Sequence, residues 1–224
     1  MEITPEDTKR AQSDEDDKWK FGNDILYQLC RDYPYHKDDS VIIAKIWLIG
    51  RSYAAAVERR KQKNEASLLQ GDRFYEQCVV PVLKNSQLDQ KIDDLRHHVS
   101  MEDAIEPILE LHSYLVTKLE EITHDHKRSL ASKYLHFHLP SLFFIYDSIA
   151  SWELNRLLPR HKATRKVQGN YDAEYQSFFL KMLDLRDKIH HDPKFGQVLT
   201  PRQLDRLLRN RGMLANRTRE TTHD

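Results

Sequence analysis

Cysteine is nearly absent from this chain of 224 residues, which contains only Cys30 and Cys78. The two are far apart, and neither belongs to the closely spaced Cys and His pairs that hold zinc. Two isolated cysteines also cannot build the disulfide framework of a small secreted protein. The sequence therefore indicates a reducing compartment, and we expect a cytoplasmic protein.

Long apolar runs are missing as well. The first twenty residues lack the basic and apolar regions of a signal peptide, and no window of about 18 residues is apolar throughout. The sequence predicts neither secretion nor a transmembrane helix, and no membrane partner.

Glycine and proline, which interrupt helices, are scarce, with six and eight copies. Charged residues make up 31% and apolar residues 39% of the chain, and no long polar–apolar alternation predicts a strand. We predict an all-α protein, an orthogonal bundle of about eight to ten helices. Residues 1–20 are acidic and predict a flexible tail. Residues 21–224 predict a single helical domain, with two closely packed lobes as the alternative.

Three segments carry specific expectations for helix boundaries. The apolar run after Asp38 predicts a helix buried through the middle of the domain. Ser100 is predicted to begin a long amphipathic helix with a kink or break at Pro107. Pro201 opens the last helix, and Gly212 is placed to end it.

Net charge is zero, but the two halves of the chain differ in sign. Residues 1–126 carry 17 basic and 25 acidic side chains, and residues 127–224 carry 18 basic and 10 acidic ones. A polarised molecule can present one face to a polyanion such as DNA. The alternative is that the two surfaces complement each other in a dimer, and the sequence leaves the oligomeric state open.

The stretch from Arg128 to Asp147 has an unusual pattern. A helix beginning Ser129-Leu130-Ala131 leads into the hydrophobic turn 143–146, which ends at Asp147, 18 residues after Ser129. This pattern resembles the helix-hairpin-helix DNA glycosylase superfamily, of the 8-oxoguanine and adenine-mismatch type. In that superfamily a short helix beginning Ser-x-Ala or Lys-x-Ala runs into a hydrophobic turn that presents a catalytic aspartate.

The resemblance implies an enzyme that recognises a base or modified base in single- or double-stranded DNA and cleaves its N-glycosidic bond. Asp147 takes the position of the aspartate that stabilises the developing charge on the sugar or activates the attacking water. Ser129 takes the position that holds lysine in bifunctional members, which implies a monofunctional, water-using enzyme. Lys127 and Lys133 are candidate amine nucleophiles if the register differs by one helical turn. The alternative role of Asp147 is that of an ordinary helix N-cap.

The chain departs from the superfamily just before Ser129. Members usually carry a Leu-Pro-Gly-x-Gly hairpin there, whose backbone amides bind a DNA phosphate, whereas residues 121–127 contain no glycine. A degenerate hairpin favours a changed substrate, including a free or single-stranded nucleotide. Similar glycosylase-like proteins occur in bacterial accessory and phage-defence loci, so the resemblance extends to a role in phage defence.

An extruded base needs a pocket with an aromatic or apolar wall. The candidate substrate-binding residues are the aromatic side chains nearest the motif: Tyr134, Phe137, Phe143, Phe144, Tyr146 and Trp152. The candidate DNA-phosphate ligands are basic residues of the motif, the loop after it and the last helix: Arg128, Arg156, Arg160, Lys162, Arg165, Lys166, Arg202, Arg206 and Arg209. Core packing and solvated surface are the alternative roles of these two groups.

Twelve histidines invite a metal site, but their spacing does not favour one. His136 and His138, for example, lie on different faces of a helix. The sequence predicts no metal and no cofactor. Its leading function hypothesis is a DNA glycosylase, and the alternative on the same fold is a non-catalytic helical module that binds nucleic acid or protein.

Overall fold

The computed structural model describes residues 2–13, 17–58, 72–97, 100–160, 163–196 and 198–220. These residues form the helices α1 (Pro5–Gln12), α2 (Lys20–Asp32), α3 (Asp39–Ser52), α4 (Asp72–Phe74), α5 (Val80–Lys84), α6 (Leu88–Arg96), α7 (Ile105–Thr123), α8 (Arg128–His138), α9 (Ser148–Leu157), α10 (Ala173–His191) and α11 (Pro201–Glu220). A π-helical turn joins α4 to α5, and a 3-10 turn precedes α7. The described ranges contain no strand, so the all-α prediction is confirmed. None of their helices combines the length and the apolar character needed to cross a membrane.

The buried apolar side chains form a continuous cluster to which every helix from α1 to α11 contributes. Helix α8 lies deep within it, because residues 130–138 are all buried and α8 contacts α2, α3 and α7. A helix buried on all its faces cannot leave polar side chains to water. Ser132, Lys133 and His136 of α8 must therefore find polar partners inside the protein.

Helix α11 packs along α9 more extensively than any other two described helices pack together. Gly212 lies at this contact, where an added Cβ would stand 2.7 Å from Ile149 Cγ2. The prediction that Gly212 ends the last helix is wrong, because α11 continues to Glu220. The glycine instead permits α11 to approach the start of α9, which brings the arginines of α11 towards Asp147.

The N-terminal segment differs from the predicted flexible tail. Thr4 and Asp7 form a reciprocal capping box at the start of α1, and Ala11 is fully buried. Helix α1 packs against α11, where Arg211 forms an ion pair with Asp7. A helix this short is not stable alone, so its formation depends on contacts that its own sequence does not reveal.

Pro107 lies in the first turn of α7 and not inside a helix that begins at Ser100. The 3-10 turn at Glu102–Ala104 comes first, and α7 starts at Ile105. Amides of the first turn have no partner within the helix, so proline removes no hydrogen bond there. The predicted break is present, but it falls before the proline.

Candidate functional site

Asp147, Lys133 and Ser129 lie in the wall of one cavity of about 630 Å³, here called the Asp147 cavity. It opens between α2, the end of α3, α8, the loop before α9, and α11. Its wall also includes Trp19, Asn23, Tyr53, Tyr146, Arg202 and Arg209. Three of the four predicted catalytic residues are thus brought together by the fold.

Hydrogen bonds to α8 hold the loop that carries Asp147. The backbone amide of Tyr146 donates to Ser132 Oγ at 3.0 Å, and Ser129 Oγ donates to the carbonyl oxygen of Tyr146 at 3.1 Å. Asp147 follows at once and begins α9, where its Oδ1 accepts the amide of Ala150 at 2.8 Å. Two hydrogen bonds from α8 side chains therefore hold the main chain immediately before Asp147, and the cap of α9 holds its carboxylate.

Asp147 acts as a helix cap and also faces the cavity. One carboxylate oxygen caps α9, while Oδ2 lies 3.7 Å from Nε of Arg209, and the side chain is 17% exposed. The positive end of the α9 dipole and the Arg209 guanidinium surround this carboxylate with favourable charge. Capping and a role in the cavity are thus compatible for this residue.

Lys133 is the buried amine of the site. It is 3% exposed, and its Nζ donates to Ser129 Oγ at 2.8 Å and to the carbonyl oxygen of Tyr53 at 3.2 Å. Burial lowers the pKa of Lys133, against the opposing effect of the Asp147 and Asp205 carboxylates. A lowered pKa increases the fraction of neutral amine, which is the nucleophilic form.

The other two predicted catalytic residues differ in their surroundings. Ser129 lies one helical turn before Lys133 and links it to the carbonyl oxygen of Tyr146, so it positions the amine. Lys127 is not part of the cavity wall, and its Nζ lies 3.0 Å from a carboxylate oxygen of Asp125. Of the two candidate amines, Lys133 lies in the cavity wall and Lys127 does not.

Asp205 of α11 is a buried carboxyl that sequence reasoning missed. It is 1% exposed, its Oδ2 accepts from Arg202 at 2.9 Å, and its Oδ1 has no hydrogen-bond partner among the described residues. Burial raises the pKa of Asp205 to about 6, although Arg202 acts in the opposite direction. In the sequence it is a single acidic residue in an arginine-rich helix, which gives no sign of burial.

Asn23 and Trp19 of the α2 region were also missed. Asn23 is 6% exposed, and its Oδ1 accepts from the Tyr53 hydroxyl at 2.7 Å. Its Nδ2 is buried and has no partner within the described part of the chain, so it is a donor ready for a ligand acceptor. Trp19 is 70% exposed although it lines the cavity. Trp19 lies within the predicted tail of residues 1–20, and Asn23 follows three residues after its end. A segment predicted to be flexible is not expected to line a cavity.

Most of the predicted aromatic pocket belongs to the core. Of the six candidates only Tyr146 lines the Asp147 cavity. The fully packed ones, 0 to 2% exposed, are Tyr134, Phe137, Phe143 and Phe144. Trp152 lies outside the cavity wall, with the Arg156 guanidinium over its ring. The packing alternative therefore describes these residues better than base stacking.

Most of the predicted phosphate ligands have carboxylate partners. The ion pairs are Arg128 with Asp172 and Glu174, Arg156 with Glu153, Arg165 with Asp184 and Asp187, Arg202 with Asp205, Arg206 with Asp17, and Arg209 with Asp147. Arg160 and Lys166 are exposed, and Lys162 lies outside the described residues. Arg202 and Arg209 differ from the others because they line the Asp147 cavity.

A second group of buried ionisable residues, here called the Lys45 cluster, lies on another face of α8. It consists of Lys45, His36, Asp89, Tyr134 and His138. His36 contacts Asp89 Oδ1 at 2.5 Å and the Tyr134 hydroxyl at 2.6 Å, and its ring stacks on that of His138. Lys45 is fully buried and donates to the carbonyl oxygen of Tyr35 at 3.2 Å. Burial lowers its pKa to about 8.

Among the described residues, no group of three or more His, Cys, Asp or Glu side chains is arranged to hold a metal ion. No protein-family model, curated protein or solved structure matches the chain.

Proposed function

We propose that this chain is a DNA glycosylase-like enzyme that cleaves the N-glycosidic bond of a nucleotide unit, with Asp147 as the catalytic carboxylate. The observation that carries the proposal is the meeting of Asp147, Lys133 and Ser129 in one cavity wall. The cavity, about 630 Å³, falls within the roughly 300–1,000 Å³ of small-molecule sites. It has room for an unstacked base together with its sugar.

The chemistry of the reaction explains why a fixed carboxylate is needed. When the N-glycosidic bond breaks, the bonding electrons move to the base nitrogen and positive charge develops on the sugar. Asp147 would stabilise that charge through Oδ2, because Oδ1 is held by the amide of Ala150. A carboxylate that is already held in place needs no reorganisation during the reaction.

Lys133 is our candidate nucleophile. Attack of its neutral amine on C1′ expels the base, which gains a proton as the amine loses one. Ring opening then gives a Schiff base between Lys133 and the sugar, and β-elimination nicks the strand. In the alternative route water attacks C1′, which leaves an abasic site without a nick.

The substrate is proposed to be an unstacked or single-stranded nucleotide. Arg128, Arg156 and Arg165 form ion pairs within the protein, so these residues offer little uncompensated charge to a DNA duplex. The absence of glycine at residues 121–127 points the same way, since the phosphate-binding hairpin of the superfamily needs it.

A non-catalytic binding module is the second candidate function. Trp19 and Phe21 are 70% and 78% exposed and lie two residues apart at the start of α2. Large exposed aromatic side chains are typical of contact surfaces for other macromolecules. A module of this kind would use the same fold without turning over a substrate.

The test is base release from single- and double-stranded oligonucleotides that carry a panel of modified bases, followed with and without alkali. We expect Asp147→Asn to lower the rate by roughly 10²- to 10⁴-fold. Asparagine is as good an N-cap as aspartate, so α9 should form as before. Asp38→Asn is the matched control, because Asp38 caps α3 through its side chain and does not line the cavity.

Borohydride trapping separates the two routes. A covalent protein–DNA adduct that disappears in Lys133→Met, together with nicking before alkali, would assign the amine route. Abasic sites without an adduct would assign attack by water. No release on any substrate by a folded wild-type protein would leave the binding module as the better hypothesis.

A further inference from the structure

A second cavity, of about 370 Å³, adjoins the Asp147 cavity and shares Trp19, Arg202 and Arg209 with it. Its other polar wall residues come from α1 and the segment between α1 and α2, and from α11: Arg10, Ser13, Asp17, Lys18, Asp205, Arg206 and Asn210. We call it the Arg10 cavity. The N-terminal segment and α11, which are far apart in the sequence, thus form a polar recess beside the proposed reaction centre.

Cationic side chains outnumber carboxylates in this wall. It contains five cations, Arg10, Lys18, Arg202, Arg206 and Arg209, and two carboxylates, Asp17 and Asp205. Counted over these described residues, the wall has a formal balance of +3. Outside this cavity, Arg128, Arg156 and Arg165 each form an ion pair with a carboxylate, whereas in this wall the cations exceed the carboxylates in number.

The two carboxylates of the wall are already used by two of its arginines. Asp17 accepts from Arg206 at 2.8 Å, and Asp205 accepts from Arg202 at 2.9 Å. Arg10 and Lys18 are exposed, and no described carboxylate forms an ion pair with either. Arg209 Nε lies 3.7 Å from Asp147, which is beyond hydrogen-bonding distance. Arg10, Lys18 and Arg209 therefore retain donors for an external anion.

We propose that the Arg10 cavity binds the phosphate of the nucleotide whose glycosidic bond lies at Asp147. This inference rests on the proposed function and adds the site that holds the phosphate of its nucleotide substrate, which distinguishes a nucleotide from a nucleoside. In a nucleotide the phosphate is attached to the same sugar whose C1′ carries the base, so the two groups lie only a few bonds apart. Two adjoining cavities can therefore hold them, and Arg209 belongs to both. Guanidinium groups match phosphate oxygens in geometry and charge, and such charge-assisted bonds are among the strongest hydrogen bonds in proteins.

Trp19 supports a nucleotide over a simple inorganic anion. It lines both cavities, yet 70% of it is exposed, so packing within the fold does not account for its position. An exposed aromatic ring beside a cationic groove is the combination that binds single-stranded nucleic acids, with bases stacked on the ring and phosphates in the groove. A free nucleotide and a DNA strand both present this chemistry.

The test measures binding by calorimetry in the Asp147→Asn background, so that substrate is not consumed. The probes are the four 2′-deoxynucleoside 5′-monophosphates, the matching nucleosides, and a short DNA oligonucleotide as a single strand and as a duplex. We expect each nucleotide to bind at least about tenfold more tightly than its nucleoside, as charge-assisted phosphate bonds predict.

The double variant Arg10→Gln, Lys18→Gln should bind nucleotides at least about fivefold more weakly than the parent protein and bind nucleosides with unchanged affinity. Both residues are exposed, so folding should not depend on them. Lys9→Gln with Lys166→Gln is the charge-matched control, because both lysines are exposed and neither lines the cavity. A strand that binds much more tightly than the mononucleotides would identify DNA as the source of the phosphate, and equal affinities would identify a free nucleotide.

Nucleosides that bind as tightly as nucleotides, or a control variant that loses as much affinity as the Arg10 and Lys18 variant, would overturn the inference. Asp147-dependent base release without phosphate-dependent binding would also overturn it, while the proposed function would stand. Phosphate-dependent binding without base release on any substrate would uphold the phosphate site and remove the glycosylase.

Discussion

Lys133 and Lys45 are both buried lysines whose pKa is lowered by burial, but their surroundings differ. Lys133 donates to a hydroxyl and a carbonyl in the wall of a cavity that also holds Asp147. Lys45 donates to the carbonyl oxygen of Tyr35 and does not line that cavity. A shifted pKa is therefore not by itself a sign of function, and what distinguishes Lys133 is its place in a cavity wall that also contains Asp147.

The Lys45 cluster has the character of a structural polar core. Asp89 of α6 accepts from both the backbone amide and the ring of His36, which ties α6 to the segment before α3. His138 is buried beside it with no partner for either ring nitrogen among the described residues. Burial holds the pKa of His138 well below that of an ordinary histidine, so the ring is neutral at physiological pH.

The largest expected effect separates the two lysines by activity. Lys133→Met should lower base release by roughly 10²- to 10⁴-fold, because it removes the amine beside Asp147. Lys45→Met should leave the single-turnover rate within about twofold of wild type, since Lys45 does not line the Asp147 cavity and makes its hydrogen bond to Tyr35. Equal losses in the two variants would contradict the assignment of Lys133 to a separate reactive site.

The next effect concerns the contribution of Lys45 to the free energy of unfolding. Its pKa is about 8 in the folded protein, against an ordinary 10.5, so the unfolded chain binds more protons between these values. Wild-type stability should therefore rise as pH increases from about 8 to about 10, by at most about 3 kcal/mol. Lys45→Met should be about 1 to 3 kcal/mol more stable than wild type at pH 7. Urea unfolding of wild type and variant at pH 7, 8 and 10 measures both effects. A Lys45→Met variant that is less stable than wild type at pH 7 would refute the prediction.

Asp205 should show the opposite pH dependence. Its pKa is raised to about 6 in the folded protein from an ordinary 3.8, so the folded chain binds more protons in between. Relative to Asp205→Asn, wild-type stability should fall by on the order of 2 kcal/mol as pH rises from about 4 to about 6. Asparagine keeps an acceptor for Arg202, which makes the comparison a test of charge. A difference that does not change with pH would mean that Asp205 is not buried as described.

The smallest effect tests the contact that brings α11 to Asp147. Gly212→Ala places a Cβ 2.7 Å from Ile149 Cγ2, which we expect to cost about 1 to 2 kcal/mol in overpacking and to outweigh the gain in helix propensity. Gly22→Ala is the matched control, since Gly22 also lies in a helix but has nothing within 4 Å of the added Cβ. We expect it to stabilise the protein by about 0.5 to 1 kcal/mol. Thermal unfolding that ranks the two variants in the reverse order would contradict the close approach of α11 to α9.

Several parts of the site could be predicted from the sequence because they depend on local patterns. The extent of α8 follows from apolar periodicity and the proline after it, and the place of Asp147 follows from the capping preference of aspartate. The sequence names Lys133 as a candidate nucleophile only if the register differs by one helical turn, and it names Lys127 under the same condition. Choosing Lys133 over Lys127 requires knowledge of which face of α8 meets the cavity.

The sequence by itself determined the helical class of this protein and the succession from Ser129 through α8 to Asp147, because periodicity and capping act between residues a few positions apart. Only the tertiary structure decided that Arg209, Asn23 and Trp19 line one cavity with that motif and that Asp205 is buried in the wall of the adjoining one. Their roles depend on α11 and α2 meeting α8 and α9, and on burial that changes a carboxyl group or leaves an amide without a partner. Contacts of this kind arise between segments far apart in the chain, where neither spacing nor composition carries a signal.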